Sequence, residues 1–199
     1  MAPAYPAVAG LGEGWSLVEE SVETVFRLSS ARVRGATRRY EDERTRRAVR
    51  EATDGGLDRE WRFVAATRLD FDPPLPPGTP RSMVRPTVAS EARRSFADRL
   101  AGRGLTDIER RRSERIRREG GTRVRLARYD AVDEVAGHAV RVAGWVGVWN
   151  DGGDFFVVTG GYPDVPLADA LDTADPPACL QGPVSEYREE FVAFVRNVA

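Results

Sequence analysis

The sequence predicts an α+β domain: a largely antiparallel sheet of about six to seven strands built from hairpins, with about three helices packed on one face. Two observations carry this prediction. Segments rich in β-branched and aromatic residues recur in pairs around short turns, as in β-hairpins. Helical patterns are present, but they do not alternate regularly with strands as a parallel sheet requires. A chain of 199 residues is long enough to bury a substantial core in one such domain.

The first part of the chain predicts a hairpin, a helix and a strand. Residues 15–26 and 31–40 predict two strands that turn around residues 28–30. Residues 43–52 predict a short polar helix, which two following glycines end. Residues 61–71 predict the clearest strand, because most of their apolar side chains fall on one parity and the charged ones on the other.

A proline-rich segment separates this part from a second helix. Residues 73–80 hold prolines that break regular structure and predict a rigid surface loop. Residues 86–101 predict a helix with Pro86 in its first turn, since proline suits that position. An apolar residue at every fourth position from Val88 to Leu100 predicts a buried stripe on this helix.

The rest of the chain predicts two more hairpins, a loop and a final helix. The hairpins pair residues 106–118 with 122–132, and residues 140–149 with 155–159. Four prolines predict a loop over residues 161–182, and an apolar stripe predicts an amphipathic helix from residue 183 to the end.

All thirty basic side chains are arginines, and they are unevenly distributed. Residues 1–141 hold 28 arginines and 22 acidic residues, whereas residues 142–199 hold 2 arginines and 9 acidic residues. Isoleucine, asparagine and glutamine are also scarce, so the absence of lysine indicates a GC-rich genome more than selection for binding. The charge asymmetry predicts either ion pairing inside the fold, or contact with a protein partner or a second copy of the chain.

The hairpin at residues 106–132 concentrates arginines on one predicted face. A three-residue loop at 119–121 sets Ile116 opposite Val124 and keeps the apolar side chains together. The other face then carries the candidate anion-binding or partner-binding residues, which are Arg111, Arg115, Arg117, Arg123, Arg125 and Tyr129. In this register Arg111 lies opposite Tyr129.

Like charges that face each other destabilise a sheet unless an anion lies across them. Three interpretations of this face are open. Nucleic-acid phosphates would fit the guanidinium groups, with Tyr129 stacking on a base. Carboxylates of the acidic part of the protein, or of another subunit, would also fit. Alternatively, the arginine stems cover apolar surface while their charged ends stay in water.

Five aromatic residues form a second candidate set: Trp15, Trp61, Phe63, Trp145 and Trp149. Such residues are typical of a protein core. The alternative is an apolar pocket in a curved sheet, which would hold a small apolar ligand.

The sequence offers little for catalysis, and we predict no catalytic residue, metal or cofactor. His138 is the only histidine and Cys179 the only cysteine, and neither lies in a recognisable triad or zinc motif. The single cysteine and the lack of a long apolar run predict a soluble cytoplasmic protein without a membrane span. Residues 1–14 predict a flexible tail and not a signal peptide, ahead of a single domain at 15–199.

Three stretches carry a resemblance to known sequences: EWRFVAATRLDFDPPL at 60–75, GWVGVW at 144–149 and GGYP at 160–163. Together they resemble a group of uncharacterised proteins from haloarchaea, over most of the chain from Trp15 onward. The resemblance implies no activity. A pI of about 6.0 departs from the strong acidity of haloarchaeal proteins, so a GC-rich actinobacterium is the alternative source.

The sequence therefore supports three hypotheses. The first is a non-enzymatic binding domain that contacts a protein or a second copy of itself through its charged surfaces. The second is a nucleic-acid-binding domain that uses the arginine hairpin. The third is a carrier of a small apolar ligand.

Overall fold

A computed structural model describes residues 4–28, 31–173 and 175–199. Within these residues the strands are β1 (Trp15–Arg27), β2 (Arg32–Asp42), β3 (Phe63–Asp72), β4 (Thr106–Arg110), β5 (Glu114–Arg117), β6 (Arg123–Val135), β7 (His138–Asp151) and β8 (Asp154–Pro163). The helices are α1 (Glu43–Ala52), α2 (Arg81–Gly102), α3 (Leu167–Ala170), α4 (Ala178–Gln181) and α5 (Val184–Asn197). The predicted α+β class is confirmed.

All eight strands belong to one antiparallel sheet in the order β1-β2-β3-β8-β7-β6-β4. Strand β5 pairs with β6 along the same edge as β4. The three predicted hairpins are present as β1 with β2, β4 and β5 with β6, and β7 with β8. Strand β3 lies between β2 and β8 and joins the first hairpin to the last. Ser29 and Ser30, in the predicted turn at 28–30, lie outside the described residues.

Helices pack on both faces of the sheet, not on one face as the sequence predicted. Alternate residues of each strand point to opposite faces, so that Leu69 contacts the α2 side and Val64 the α5 side. Both faces of the central strands are apolar, as expected for strands that are buried on two sides. The sheet is therefore the middle layer of three.

Helix α2 begins five residues earlier than predicted, so Pro86 lies inside the helix and not in its first turn. Proline cannot donate the backbone hydrogen bond to Ser82, but both residues are exposed, and water can satisfy the free carbonyl. The predicted stripe is buried, at Val88, Ala92, Phe96 and Leu100. This stripe anchors α2 on the sheet.

Helix α5 covers the other face through Tyr187, Phe191 and Phe194. The chain before β1 also contacts this side, because Ala7 and Ala199 exchange two backbone hydrogen bonds of 2.6 and 2.9 Å. Segment 161–182, which was predicted as a loop, contains the short helices α3 and α4. Together with α1 they enclose a third apolar cluster at one end of the sheet.

Candidate functional site: the arginine groove

Helix α2 lies across the sheet and leaves a cleft along each of its sides. The cleft between α2 and strands β5, β6 and β7 has a volume of about 490 Å³, and we call it the arginine groove. Its charged lining consists of five arginines: Arg85, Arg93, Arg115, Arg123 and Arg125. The cleft on the opposite side of α2, with a volume of about 650 Å³, lies against β1, β2, β3 and β8.

The β5–β6 hairpin builds one wall of the groove in the predicted register. Arg115 pairs with Arg125 and Arg117 with Arg123, while Ile116 faces Val124. The loop between the strands has three residues, and Arg118 donates its backbone N–H to the Thr122 carbonyl at 2.9 Å. Gly121 has a φ of +82°, the left-handed conformation that this type of loop requires. Thus the sequence pattern correctly predicted both loop length and facing pairs.

The arginines of this hairpin point toward the α2 side of the sheet. Arg125 pairs across the sheet with Val148, which belongs to the core beneath α2. The predicted set missed Arg85 and Arg93, which come from α2 itself. Their eight-residue separation places them on one side of a helix, but only the tertiary fold shows that this side borders β5 and β6.

Arg111 is not part of this wall, and the prediction that it faces Tyr129 was wrong. One extra residue at 111–113 forms a β-bulge, so that Arg110 faces Tyr129 instead. A bulge of one residue moves the following side chains to the opposite face. Arg111 consequently donates through Nε to Asp130 at 2.9 Å.

Tyr129 is 6% exposed and lies against Phe96, with the two rings 5.6 Å apart and close to perpendicular. Its hydroxyl donates to the Arg93 carbonyl at 3.3 Å. Burial raises the pKa of Tyr129, and the positive charges of Arg110 and Arg93 oppose that rise. The ring belongs to the core, so it offers no open face for a nucleic-acid base to stack on.

Charge pairing differs sharply between the two clefts. In the larger cleft, Arg99 pairs with Glu23 at 3.1 Å. In the same cleft the neighbours Arg39 and Arg103 both pair with Glu60. In the arginine groove, no described carboxylate forms an ion pair with any of the five lining arginines.

The acidic residues of the last part of the chain neutralise arginines elsewhere. Four ion pairs bring an arginine of the first part of the chain to a carboxylate of the last part: Arg62 with Glu190, Arg68 with Asp154, Arg118 with Asp151, and Arg128 with Asp164. Helix α5, which carries Glu190, lies on the sheet face opposite the groove. Four of the nine carboxylates that the sequence offered as partners are therefore used at other positions.

The five aromatic candidates are divided among three apolar clusters and do not form one site. Trp145 and Trp149 are buried beneath α5, and Trp15 packs beside the same cluster. Trp61 belongs to the third apolar cluster, and of the five only Phe63 lines the larger cleft. Phe63 and Trp145 point to opposite faces of the sheet. None of the described cavities is lined by more than one of the five aromatic candidates.

No described helix is both long enough and apolar enough to cross a bilayer. In the same part of the chain, no group of three or more histidine, cysteine or acidic side chains is arranged to hold a metal ion. The arginine groove is therefore the candidate site in the described part of the chain.

The comparisons with known proteins add one finding. A family model described as "Domain of unknown function (DUF6517)" matches residues 3–199. Searches of curated proteins and of solved structures found no match.

Proposed function

Because this chain belongs to the DUF6517 family, a domain of unknown function, we propose its function from its own surface: it binds an anionic small molecule in the arginine groove. A single contrast carries the proposal. The five groove arginines have no described carboxylate partner, whereas the arginines of the neighbouring cleft are paired. Guanidinium groups bind phosphates and carboxylates through paired, charge-assisted hydrogen bonds.

The energetics of the hairpin support this assignment. Arg115 and Arg125 are direct neighbours across the strands, where side chains of like charge repel each other. An anion between them converts this repulsion into attraction. Arg85 and Arg93 add positive charge from α2, on the other side of the groove. The free protein therefore already has a positive electrostatic potential at this site.

The dimensions of the groove favour a small molecule over a protein partner. Its volume of about 490 Å³ falls in the range of roughly 300–1,000 Å³ that is usual for small-molecule sites. A stable protein interface needs about 800 Å² and roughly 20–30 residues from each partner. Single-stranded nucleic acid is the less favoured ligand, because such sites use exposed aromatic rings and Tyr129 is buried.

Isothermal titration calorimetry with inorganic tripolyphosphate at low salt tests the proposal. We expect the wild-type protein to bind, and Arg115→Ala with Arg125→Ala to weaken binding at least about tenfold, since each lost bond to a charged group is costly. The matched control is Arg141→Ala with Arg196→Ala, which removes two exposed arginines on the other sheet face. An absence of binding, or equal losses in both double variants, contradicts the proposal.

A single-stranded oligonucleotide serves as the second probe. Weak binding that the groove variants do not change agrees with a small-molecule site. Binding that is tighter than that of tripolyphosphate, falls linearly with salt on logarithmic axes, and is lost in the groove double variant replaces it with a nucleic-acid function.

A further inference from the structure

Building on the proposed anion site, we infer that its ligand is an aliphatic phosphate, a molecule with a phosphate head and a hydrocarbon body. The arginines account for only part of the groove. Between the α2 wall and the β5–β6 wall lies an apolar floor, which the ligand's body would cover. The inference rests on the proposed function and specifies the class of its ligand.

The floor is aliphatic throughout. Its sheet side chains are Ala127, Val146 and Val148, which belong to the core on the α2 side, and α2 contributes Pro86 and Ala89. None of these side chains is aromatic, so the floor offers no stacking surface to a planar ring. The small side chains of Ala89 and Ala127 leave the space that a hydrocarbon chain would fill. Water reaches this floor chiefly at the exposed Pro86 and the half-buried Ala89, and covering that apolar surface stabilises the complex.

The polar groups of the groove are donors to a ligand. The five guanidinium groups donate hydrogen bonds and accept none, and Ser113 is the other polar side chain in the described lining. A phosphate group, with three acceptor oxygens and nearly two negative charges, matches this arrangement. A nucleobase or a sugar would bring donor groups that find few acceptors here.

The charged and the apolar parts of the sheet lining come mainly from different strands. Arg115, Arg123 and Arg125 belong to the hairpin, and their side chains are exposed. Val146 and Val148 belong to β7, where they are 2% and 9% exposed and form part of the core. A ligand that spans both must therefore carry charge at one end and hydrocarbon at the other.

Calorimetry with two phosphate monoesters tests this inference. Methyl phosphate and octyl phosphate, used below its micelle concentration, carry the same head and differ only in the body. We expect octyl phosphate to bind at least about tenfold more tightly, because burying roughly two methylene groups has that effect. Octanoate, which has a similar chain but a single charge, should bind more weakly than octyl phosphate.

The variant Ala89→Leu tests the contribution of the ligand's hydrocarbon body separately from that of its phosphate head. The leucine fills part of the floor, suits a helix and leaves every arginine in place. It should lower the affinity for octyl phosphate to nearly that for methyl phosphate, and change the affinity for methyl phosphate much less. Equal losses for both ligands would overturn the separate role of the floor.

The outcomes distinguish failure of the two proposals. If tripolyphosphate and both monoesters fail to bind, the anion site itself is wrong. If methyl and octyl phosphate bind equally, the anion site stands and the aliphatic body is wrong. Octyl glucoside binding as tightly as octyl phosphate would also overturn the inference, since the head would then contribute nothing.

Two sources could supply this chemistry, and a sedimentation assay distinguishes them. Vesicles of phosphatidylcholine are compared with vesicles that also contain phosphatidic acid. Groove-dependent binding to the second set alone identifies a membrane lipid headgroup as the source. Binding to monomeric octyl phosphate without vesicle binding identifies a soluble molecule. Both results support an aliphatic phosphate.

Discussion

Arg62 and Asp42 form an ion pair 2.5 Å long in which each side chain is only 2% exposed. The same guanidinium pairs with Glu190 on α5 and lies 4.0 Å from the centre of the Tyr187 ring. Asp42 also caps α1, accepting the backbone N–H groups of the first turn at 3.1 and 3.2 Å. One buried charge pair thus links β2, α1, the residue that precedes β3, and α5.

We expect Asp42→Asn to destabilise the fold by about 1.5–3 kcal/mol, since the buried Arg62 loses one charge-assisted hydrogen bond and keeps only Glu190 as its ionic partner. Asparagine caps helices as well as aspartate, so the change isolates the ion pair from the cap. Urea denaturation followed by circular dichroism measures the free energy of unfolding. The control is Glu23→Gln, which breaks the exposed pair with Arg99 and should cost less than about 1 kcal/mol. Similar losses in both variants would contradict this role of the Arg62–Asp42 pair.

Arg118 holds the C-terminal end of α5 in place. Its Nε donates to the Val195 carbonyl at 3.3 Å, a second nitrogen donates to the Val198 carbonyl, and the guanidinium lies 4.5 Å from the Trp149 ring. Arg118→Met should cost about 1–3 kcal/mol, because these buried carbonyls lose their donors.

Hydrogen exchange of the backbone amides measures this loss of stability at the end of α5. The amides of the last turn of α5 should exchange faster in Arg118→Met than in the wild type, while those of α2 change less. Arg117→Met is the matched control, because the neighbouring Arg117 is exposed and has no partner among the described residues. Uniform acceleration over both helices, or none at α5, would refute the capping role.

Sequence patterns predicted the hairpin pairing because two independent signals agree there. Alternation places Ile116 and Val124 on one face, and a loop of three residues with Gly121 in the left-handed conformation yields the same register. The bulge at 111–113 breaks this register at a run of arginines and serine. No glycine or proline marks it, so local sequence could not locate Arg111 beside Asp130.

The groove itself depends on contacts that are distant in the sequence. Arg85 and Arg125 line one cleft only because α2 crosses the sheet beside β6. Likewise, the burial of Trp61 and Trp145 follows from their type, but only the tertiary fold places them in different apolar clusters. Pro86 misled the prediction because proline is favoured in a first turn, whereas here it lies in the second turn, where the carbonyl of the exposed Ser82 loses its backbone donor.

Tyr162 should make the protein less stable at high pH. Burial raises the pKa of Tyr162 to about 12, although the hydrogen bond from Trp145 Nε1 at 2.9 Å acts in the opposite direction. Below pH 10 the tyrosine is protonated in both states. Between about pH 10 and pH 12 the unfolded chain loses this proton first, so stability falls by about 1.4 kcal/mol for each pH unit.

Urea denaturation at about pH 9 and about pH 11 measures this slope. Tyr162→Phe has no proton to lose at this position and should show a shallower fall, with the remainder due to Tyr129 and Tyr187, whose pKa values burial also raises. If the wild type and Tyr162→Phe have the same slope, Tyr162 does not titrate as its burial requires.

Reversing one charge in the groove should stabilise the free protein while it removes the proposed function. In Arg125→Glu the new carboxylate faces Arg115 across the strands, so a repulsive pair becomes an attractive one worth about 0.2–1 kcal/mol. Urea denaturation without added anion should show this gain, and calorimetry should show that tripolyphosphate no longer binds. The double variant Arg115→Glu with Arg125→Glu restores a like-charge pair, and the gain should disappear. A loss of stability in Arg125→Glu alone would mean that Arg115 and Arg125 are not an uncompensated pair.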